Sequence, residues 1–490
     1  MTKLLHNLPI EDLKKDNDFL GVIDKANLIQ TILESNKEQF HEIKMFALYG
    51  EWGSGKSTLM KYLEQNLNIN FNTFFFDTWQ FEKDDNLPQT LLEYLLKESE
   101  TLGEKVSGDI LKFAGKLFRG LGKSVKIKVP LYPQGPSVDI NPSELVEEFI
   151  KEDISFYEAL EKFKTEFVRW EDNITLKKEK KYNIIFIDDL DRCEPENVLN
   201  LLSAIKLFFT YGEKTIFFFG VDKKAVQQAV QTKYKDIVKS EEYLEKIFDI
   251  SFSMPEHDNV LKLVSTYFDD RSVEGEKLNE KIADFFKELQ FTNPRRLKKV
   301  LNKYSLLANA SENLHHNHPY AKYIGEIFTK ESYGNYFETV LSLYLITVKE
   351  FYPELFKVLF DFKLKEKHFK EEVFKIDSDP MTNKWGHIRQ SFDENFFESQ
   401  IKNIFTKGVL PKSNIGFGPY TLIFCPENLA SVDKGFYSHL LSFKSINLRE
   451  KRIDYYFFKY MCNNVEFFNK LPNYSDKSIA DIYQGIKQIL

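Results

Sequence analysis

The segment GEWGSGKS at residues 50–57 restricts the fold of this chain more than any other part of its sequence. It follows an apolar run of strand length, KMFALYG, and precedes a helical pattern, STLMKYLEQNL. Backbone N–H groups can turn inward around an anion only where side chains do not obstruct them, and Gly50, Gly53 and Gly55 meet that need. The order of strand, glycine loop and helix therefore predicts a phosphate-binding P-loop.

Two side chains of this loop are expected to act on a nucleoside triphosphate. Lys56 would reach the β- and γ-phosphates, and Ser57 would give its hydroxyl to Mg²⁺. The helix that starts here directs the positive end of its dipole at the anion. A glycine turn with an exposed lysine is the structural alternative. The predicted nucleotide-binding residues are Gly50, Glu51, Trp52, Gly53, Ser54, Gly55, Lys56, Ser57 and Thr58.

A second motif, IIFIDDLDRC, is an apolar strand that ends in two aspartates. A carboxylate at a strand tip beside a P-loop can hold Mg²⁺ through its water shell, and a neighbouring acid can polarise the attacking water. We assign Asp188 to the metal and Asp189 to the water. The order of these roles stays open, and Asp191 is an alternative for either. Two acids after a strand are common in ordinary turns, so the assignment depends on the P-loop.

Further apolar runs of strand length, separated by helical patterns, predict a parallel sheet with helices on both faces, the α/β fold of P-loop NTPases. One run intervenes in sequence between the P-loop strand and the acidic strand. This is the hallmark of the P-loop division that places an extra strand between those two and includes AAA+ and STAND ATPases. The predicted strands after the first are residues 71–79, 182–188, 214–221 and 249–254.

Two motifs that are absent from the sequence restrict the choice of nucleotide and of ATPase class. The guanine-reading pattern Asn-Lys-x-Asp does not occur in the sequence, which favours ATP over GTP. The Leu-Ser-Gly-Gly signature of ABC-type ATPases is also missing. We therefore expect ATP and Mg²⁺ as the bound cofactors.

Taken in order, these motifs resemble the KAP family of P-loop NTPases. The resemblance covers about residues 16–305 and lies in DFLG, GEWGSGKST, FDTWQFEKDD, FIDDLDRCEPENV, FFFGVD, EYLEKIFDISFSMP and NPRRLKKVLN. It implies an ATPase, and it implies a role in bacterial defence against phage, with which KAP members are often linked. Many members carry transmembrane helices between the two core motifs, whereas this chain has no sufficiently long apolar run there.

The resemblance also implies roles for charged residues outside the core motifs. Asp222, at the end of FFFGVD, resembles the polar residue that senses the γ-phosphate from the neighbouring strand. Arg192 and the pair Arg295 and Arg296 are candidates for stabilising charge on the transferring phosphoryl group, in the same subunit or the next.

Structural roles are the alternative for these side chains. Arg192 can instead pair with Asp191 or Glu194, and the later arginine pair can form a solvated helix start. Trp79 is expected to pack against the sheet rather than to read a base.

An insertion of about residues 97–181 separates the second and third predicted strands. Its residues 101–130 carry seven Lys or Arg against two acidic residues. The preferred interpretation is a solvated helix-and-hairpin insertion. The alternative is a basic amphipathic segment that contacts nucleic acid, membrane lipid or an acidic partner.

The predicted domains are an NTPase core at residues 1–254, a lid-like helical subdomain at 255–321 and a mainly helical C-terminal domain at 322–490. The last has no catalytic signature, so we expect a protein partner or self-association through it. A zinc site is not expected at the histidine-rich run LHHNHPY, which lacks cysteine and acidic partners.

Composition limits location and function. The net charge of −7 gives no whole-chain field that favours nucleic acid. Three widely spaced cysteines argue against a disulfide framework, and no run approaches 18 uncharged apolar residues, so we expect a cytoplasmic protein without a transmembrane span. The leading interpretation is an ATP-hydrolysing conformational switch. The alternatives are a nucleotide-stabilised scaffold that recruits a partner effector, and a DNA-dependent ATPase.

Overall fold

The chain forms two compact units in the computed structural model. The sheet unit comprises Leu8–Glu256, and the helical unit comprises Met1–Asn7 with His257–Leu490. The chain therefore passes from one unit to the other twice. The structure describes residues 4–82, 84, 86–100, 155–177, 179–234, 237–255, 260–273, 275–313 and 336–353, together with the isolated residues 110, 113–114, 117–118, 129–130, 137–138, 356, 453, 460, 486–487 and 489.

The sheet unit is built on five parallel strands in the order β2-β3-β4-β1-β5. Each strand lies within a run predicted from the sequence, so the predicted α/β fold is confirmed. The strands are β1 (Met45–Tyr49), β2 (Phe71–Asp77), β3 (Tyr182–Asp188), β4 (Thr215–Val221) and β5 (Ile250–Ser253).

A strand does lie between the P-loop strand β1 and the acidic strand β3, but it is β4. The strand that intervenes in sequence, β2, lies at the edge of the sheet beyond β3. Burial explains the placement. All seven residues of β4, TIFFFGV, are buried, whereas β2, FNTFFFD, alternates between buried and half-buried positions toward its end. A strand that is apolar on both faces is stable only in the middle of a covered sheet.

Helices cover both faces of this sheet. Successive residues of β3 alternate between two apolar clusters: Ile184 and Phe186 pack with the first two helices, and Ile185 and Ile187 pack with the later ones. The helices of the sheet unit are α1 (Val22–Ser35), α2 (Lys56–Leu67), α3 (Leu87–Glu100), α4 (Phe156–Lys177), α5 (Pro195–Phe208), α6 (Lys223–Tyr234) and α7 (Ile237–Ile247).

Buried amides fix the register of three strands. Asn72 of β2 donates from Nδ2 to Asn183 Oδ1 of β3 at 2.8 Å, and Asn183 Nδ2 lies 3.2 Å from Thr215 Oγ1 of β4. A shift by one residue would break this chain of bonds inside the sheet, where an unpaired polar group is costly.

Charged residues cluster at the amino-terminal ends of the strands, where Lys44 and Lys206 are buried. Asp249 accepts hydrogen bonds from the backbone N–H groups of Lys44 and Met45 at 2.9 Å, and its other oxygen pairs with Lys206 Nζ at 2.8 Å. The Lys44 side chain is buried, and burial lowers its pKa from 10.5 to about 8 although Glu171 opposes the shift. The folded chain therefore binds the Lys44 proton less tightly than the unfolded chain does.

Replacing Lys44 with Met should change how stability depends on pH. Between pH values of about 8 and 10.5 the unfolded chain binds more protons at Lys44 than the folded chain, so this residue makes stability rise with pH there. From about pH 7 to about pH 10, the free energy of unfolding of the wild type should increase by about 2 kcal/mol relative to Lys44→Met. Denaturant unfolding at each pH measures the difference. Lys15→Met, at an exposed position, is the control for the loss of one lysine. Equal slopes for Lys44→Met and wild type would contradict the expectation.

The helical unit contains α8 (Leu261–Val264), α9 (Leu278–Glu288), α10 (Pro294–Asn313) and α11 (Tyr336–Phe351). Glu350 at the end of α11 forms ion pairs with Lys299 and Lys303 of α10. In the predicted helical C-terminal domain, α11 is the main described element, and most of residues 357–490 lie outside the described part. Among the described helices, none combines the length and apolar character that crossing a membrane requires.

The first residues of the chain contribute to both units. Leu5 exchanges two hydrogen bonds with the Asn302 side chain of α10, N to Oδ1 at 3.1 Å and Nδ2 to O at 2.8 Å. Farther along, in the sheet unit, Ile10 N donates to Thr58 Oγ1 of α2 at 3.2 Å, and Leu13 is buried against the α1–α2 face. We call residues 4–18 the N-terminal segment.

Candidate nucleotide-binding site

The loop between β1 and α2 has the backbone geometry that the sequence predicts for a P-loop. Gly53 and Gly55 have φ angles of 84° and 99°, which side-chain-bearing residues rarely adopt. At Gly50 an added Cβ would lie 2.5 Å from Ser54 Oγ and 2.6 Å from Met254 Cγ. Glycine therefore suits these three positions, because two of them have positive φ angles and a side chain at Gly50 would collide with Ser54 and Met254.

Lys56 opens helix α2, and its side chain lies across the loop. The side chain is buried, and Nζ donates to the carbonyl oxygens of Gly50 at 2.9 Å and Glu51 at 3.3 Å. This places a positive charge at the amino end of a helix, next to the glycine-rich backbone. Both features attract phosphate.

Asp222, which follows β4, is hydrogen-bonded to the loop. Its Oδ2 accepts from the backbone N–H of Trp52 at 3.0 Å, and its Oδ1 accepts from Lys224 N at 3.0 Å. Lys224 also forms an exposed 2.8 Å ion pair with Glu51. The structure thus brings Asp222 to the P-loop. The contribution of Lys224 was not predicted, because no local pattern links it to a residue far earlier in the chain.

Asp188 lies at the tip of β3 and is only 4% exposed. The Ser57 hydroxyl donates a hydrogen bond to this carboxyl group, while burial raises its pKa. Its Oδ1 has no hydrogen-bond partner among the described residues. At Gly220 of β4 an added Cβ would lie 2.6 Å from that oxygen, so glycine preserves the space beside it.

The Ser57 hydroxyl and the Asp188 carboxylate are oxygen ligands of the kind that a hard cation prefers. Mg²⁺ prefers oxygen ligands and is usually held by one or two protein groups together with phosphate oxygens and water. The described residues contain no group of three or more His, Cys, Asp or Glu side chains that could hold a metal alone. Ser57 and Asp188 would therefore supply the protein part of a shared coordination sphere.

Asp189, the next residue, has a φ angle of 58°, in the left-handed region that is unfavourable for a non-glycine residue. A 3-10 turn at Leu190–Arg192 follows. Burial and the neighbouring charge of Asp188 raise the pKa of Asp189 to about 6, against the opposing charge of Arg192. Arg192 Nε lies 3.1 Å from Asp189 Oδ1. The arginine therefore pairs with Asp189 and not with the acids named as alternatives above.

The expectation for Trp79 was wrong. Strand β2 ends at Asp77, and Trp79 lies in the following 3-10 turn, Thr78–Phe81, where it is 50% exposed instead of packed on the sheet. The Arg192 guanidinium carbon lies 4.3 Å from the centroid of its ring. The strand ends two residues earlier than predicted, so the indole is outside the strand's alternation of faces.

Asp77 is a component of the site that the sequence assignment missed. It is in register with Asp188 at the ends of adjacent strands, and its charge raises the pKa of both Asp188 and Asp189. Its Oδ1 accepts from Trp79 N at 3.1 Å. The available signal was an acid at the end of an apolar run, because carboxyl ends of parallel strands lie at one edge of a sheet.

The later arginine pair belongs to the helical unit. Arg295 Nη2 donates to the Asn7 carbonyl oxygen at 3.3 Å, and Arg296 is exposed with its guanidinium carbon 5.6 Å from the Phe351 ring centroid. Their predicted action on phosphate stays a prediction. Asp191 is half-buried beside the site. Most of the basic stretch at 101–130 and the whole run LHHNHPY lie outside the described residues.

One family model and two proteins of a methanogen are similar to parts of this chain. Residues 25–310, more than half of the chain, match the model of the KAP family P-loop domain. The chain is 36% identical over 162 residues to the uncharacterized protein MJ0182 of Methanocaldococcus jannaschii, covering 28% of this chain and 84% of that protein. It is 41% identical over 116 residues to the uncharacterized protein MJ0181 of the same organism, covering 22% of this chain and 44% of that protein. With its P-loop and acidic strand in the observed sheet order, the chain belongs to the KAP family of nucleotide-binding P-loop NTPases.

Proposed function

We propose that this chain is an Mg²⁺-dependent ATPase that acts as a nucleotide-dependent conformational switch. The hydrolytic part rests on Asp188, a buried carboxylate at the tip of β3. One of its oxygens lacks a hydrogen-bond partner among the described residues, and the Ser57 hydroxyl donates to the carboxyl group. Burying such a group is costly unless it serves a ligand.

Each residue of the site has a proposed task. Ser57 and Asp188 hold Mg²⁺, which neutralises charge on the phosphates when bound. Lys56 binds phosphate oxygens together with the loop backbone. Asp189 orients and polarises the attacking water, and Arg192 stabilises negative charge on the phosphoryl group.

Two further residues complete the proposal. Asp222 is proposed to sense the γ-phosphate, and its hydrogen bond to the P-loop backbone supports that role. Arg295 is proposed to act on phosphoryl charge, in the same subunit or a neighbouring one. ATP is the proposed nucleotide because the sequence lacks the guanine-reading motif.

The N-terminal segment supports the switch. Ile10 is bonded to Thr58, which follows Ser57 in the predicted nucleotide site, and Leu5 is bonded to Asn302 of the helical unit. In addition, Gln65 of α2 donates to the Glu11 carbonyl oxygen at 2.8 Å. These bonds support the proposal that a change at the start of α2 is passed to the helical unit through the covalent chain of the N-terminal segment.

Phosphate release by the purified chain tests the hydrolytic part directly. We expect release from ATP that stops when Mg²⁺ is removed with EDTA and returns when Mg²⁺ is restored. Tight ATP binding with no release in a single-turnover experiment would contradict hydrolysis and favour the nucleotide-stabilised scaffold. Release that occurs only with DNA would favour the DNA-dependent ATPase, with residues 101–130 as its contact.

Replacing Asn302 with Leu should separate hydrolysis from the switch. The substitution removes both bonds to Leu5 and the bond from the Tyr267 hydroxyl. None of these groups belongs to the nucleotide site, so we expect phosphate release to stay within about twofold of wild type. The change in amide hydrogen exchange of α10 on adding a non-hydrolysable ATP analogue with Mg²⁺ should shrink roughly fivefold or more. Leu306→Ala, at an exposed position of the same helix, is the control. An unchanged exchange response in Asn302→Leu would refute coupling through the N-terminal segment.

Defence against phage is proposed from the family resemblance. Cells that express the chain should resist some phages, and the variant Lys56→Ala should lose the resistance. Equal plating on both strains with every phage tested would count against this role.

A further inference from the structure

The turns that follow β2 and β3 are bonded to each other at the acidic end of the site. Thr78 is fully buried, and its Oγ1 donates to the carbonyl oxygen of Asp188 at 2.7 Å. Cys193 Sγ donates to the carbonyl oxygen of Thr78 at 3.6 Å. The backbone of each turn is therefore held by the other, and side chains on the two turns have fixed relative positions.

Trp79 is anchored on the first of these turns. Its backbone N–H is bonded to Asp77, and Phe81, at the end of the same turn, stacks on Phe76 with ring centroids 5.1 Å apart and an interplanar angle of 7°. The indole itself remains half exposed. An indole exposed in this way contributes little to the apolar core.

The Arg192 side chain, on the second turn, lies over the Trp79 indole. Its guanidinium carbon lies 4.3 Å from the Trp79 ring centroid, and its Nε lies 3.1 Å from Asp189 Oδ1. The guanidinium thus has an aromatic face on one side and a carboxylate at its edge. A long arginine side chain has many rotamers, and stacking on an aromatic face reduces them while keeping the charge.

We propose that Trp79 is a positioning residue for Arg192 in phosphoryl transfer. The indole face holds the guanidinium beside Asp189, within the group of charged side chains at the tips of β2 and β3. Trp79 contacts no reacting atom in this scheme. The inference rests on the proposed function of Arg192, whereas the contact between indole and guanidinium can be measured without any hydrolysis.

Kinetics give the first test. Trp79→Leu should lower kcat roughly 3- to 30-fold with little change in KM, because a loose guanidinium is lost from the transition state and not from ground-state binding. Trp79→Phe and Trp79→Tyr keep an aromatic face and should recover most of the loss. In an Arg192→Met background, Trp79→Leu should have no further effect. An additional loss of the same size in that background, or a wild-type kcat for Trp79→Leu, would overturn the proposal.

Fluorescence gives a second test that does not depend on turnover. Arg192→Met should change tryptophan emission in the wild-type background, and the change should disappear when Trp79 is already Phe, although the chain's other three tryptophans remain. The same difference in both backgrounds would contradict the contact. If the wild type released no phosphate, the proposed function would fail, and this cycle would still decide whether Trp79 holds Arg192. Equal unfolding temperatures for Trp79→Leu and Trp79→Phe check that the fold is retained.

Discussion

Replacing Lys56 with alanine should reduce ATP turnover at least about 100-fold and weaken ATP binding. The Lys56 ammonium is buried across the P-loop, bonded to the carbonyl oxygens of Gly50 and Glu51. Lys56 is the lysine of the P-loop motif, and we propose that its ammonium contacts the β- and γ-phosphates directly. Phosphate release under saturating ATP and equilibrium binding of a fluorescent ATP analogue measure the two effects.

Lys61→Ala is the matched control for this variant. Lys61 lies on the same helix but pairs at 3.5 Å with Glu11, outside the loop. Its removal should leave turnover within about threefold of wild type. Full activity in Lys56→Ala, with an unchanged unfolding temperature, would remove the P-loop lysine from the proposed mechanism.

Asp189→Asn should stop hydrolysis while ATP remains bound. The change preserves the size of the side chain but removes the carboxylate that is proposed to polarise water, so we expect kcat to fall about 10²- to 10⁴-fold. ATP affinity should stay within a few-fold of wild type, because Ser57, Asp188 and the loop are intact. Quench-flow measurement of bound ATP and product distinguishes a block in chemistry from a loss of binding.

Two further substitutions sharpen the assignment of the acid. Asp172→Asn removes a carboxylate that pairs with Lys214 at 2.6 Å, away from the P-loop, and should have little effect on hydrolysis. Asp191→Asn should also be mild if Asp189 carries the role. A severe loss in Asp191→Asn together with normal turnover in Asp189→Asn would transfer the role to Asp191.

The sequence by itself determined the fold class and the core of the site. A glycine loop can bind phosphate tightly only where no side chains cover its backbone, so GEWGSGKS predicted a phosphate-binding loop, and the structure adds positive φ angles at Gly53 and Gly55. Apolar runs of six to nine residues likewise predicted the strands, because period and length are local properties. Helices on both faces followed from strands that are apolar on both sides.

Strand order and side-chain pairing were decided by the tertiary structure. Which strand lies beside the P-loop strand depends on burial over the whole sheet, and β4 took that place where the sequence order had drawn attention to β2. The exposure of Trp79 was predicted wrongly, and the contribution of Asp77 was missed, because both depend on tertiary structure. Their roles depend on where β2 ends and which residue of β3 lies opposite.

Two contacts that extend the site beyond its motifs are long-range in sequence. Asp222 meets Trp52, and Arg192 meets Trp79, across separations that no local pattern encodes. Local chemistry sets which residues can bind phosphate or a metal. Only packing of the complete sheet and its helices sets which of them lie within bonding distance, because those distances depend on all the side chains buried between them.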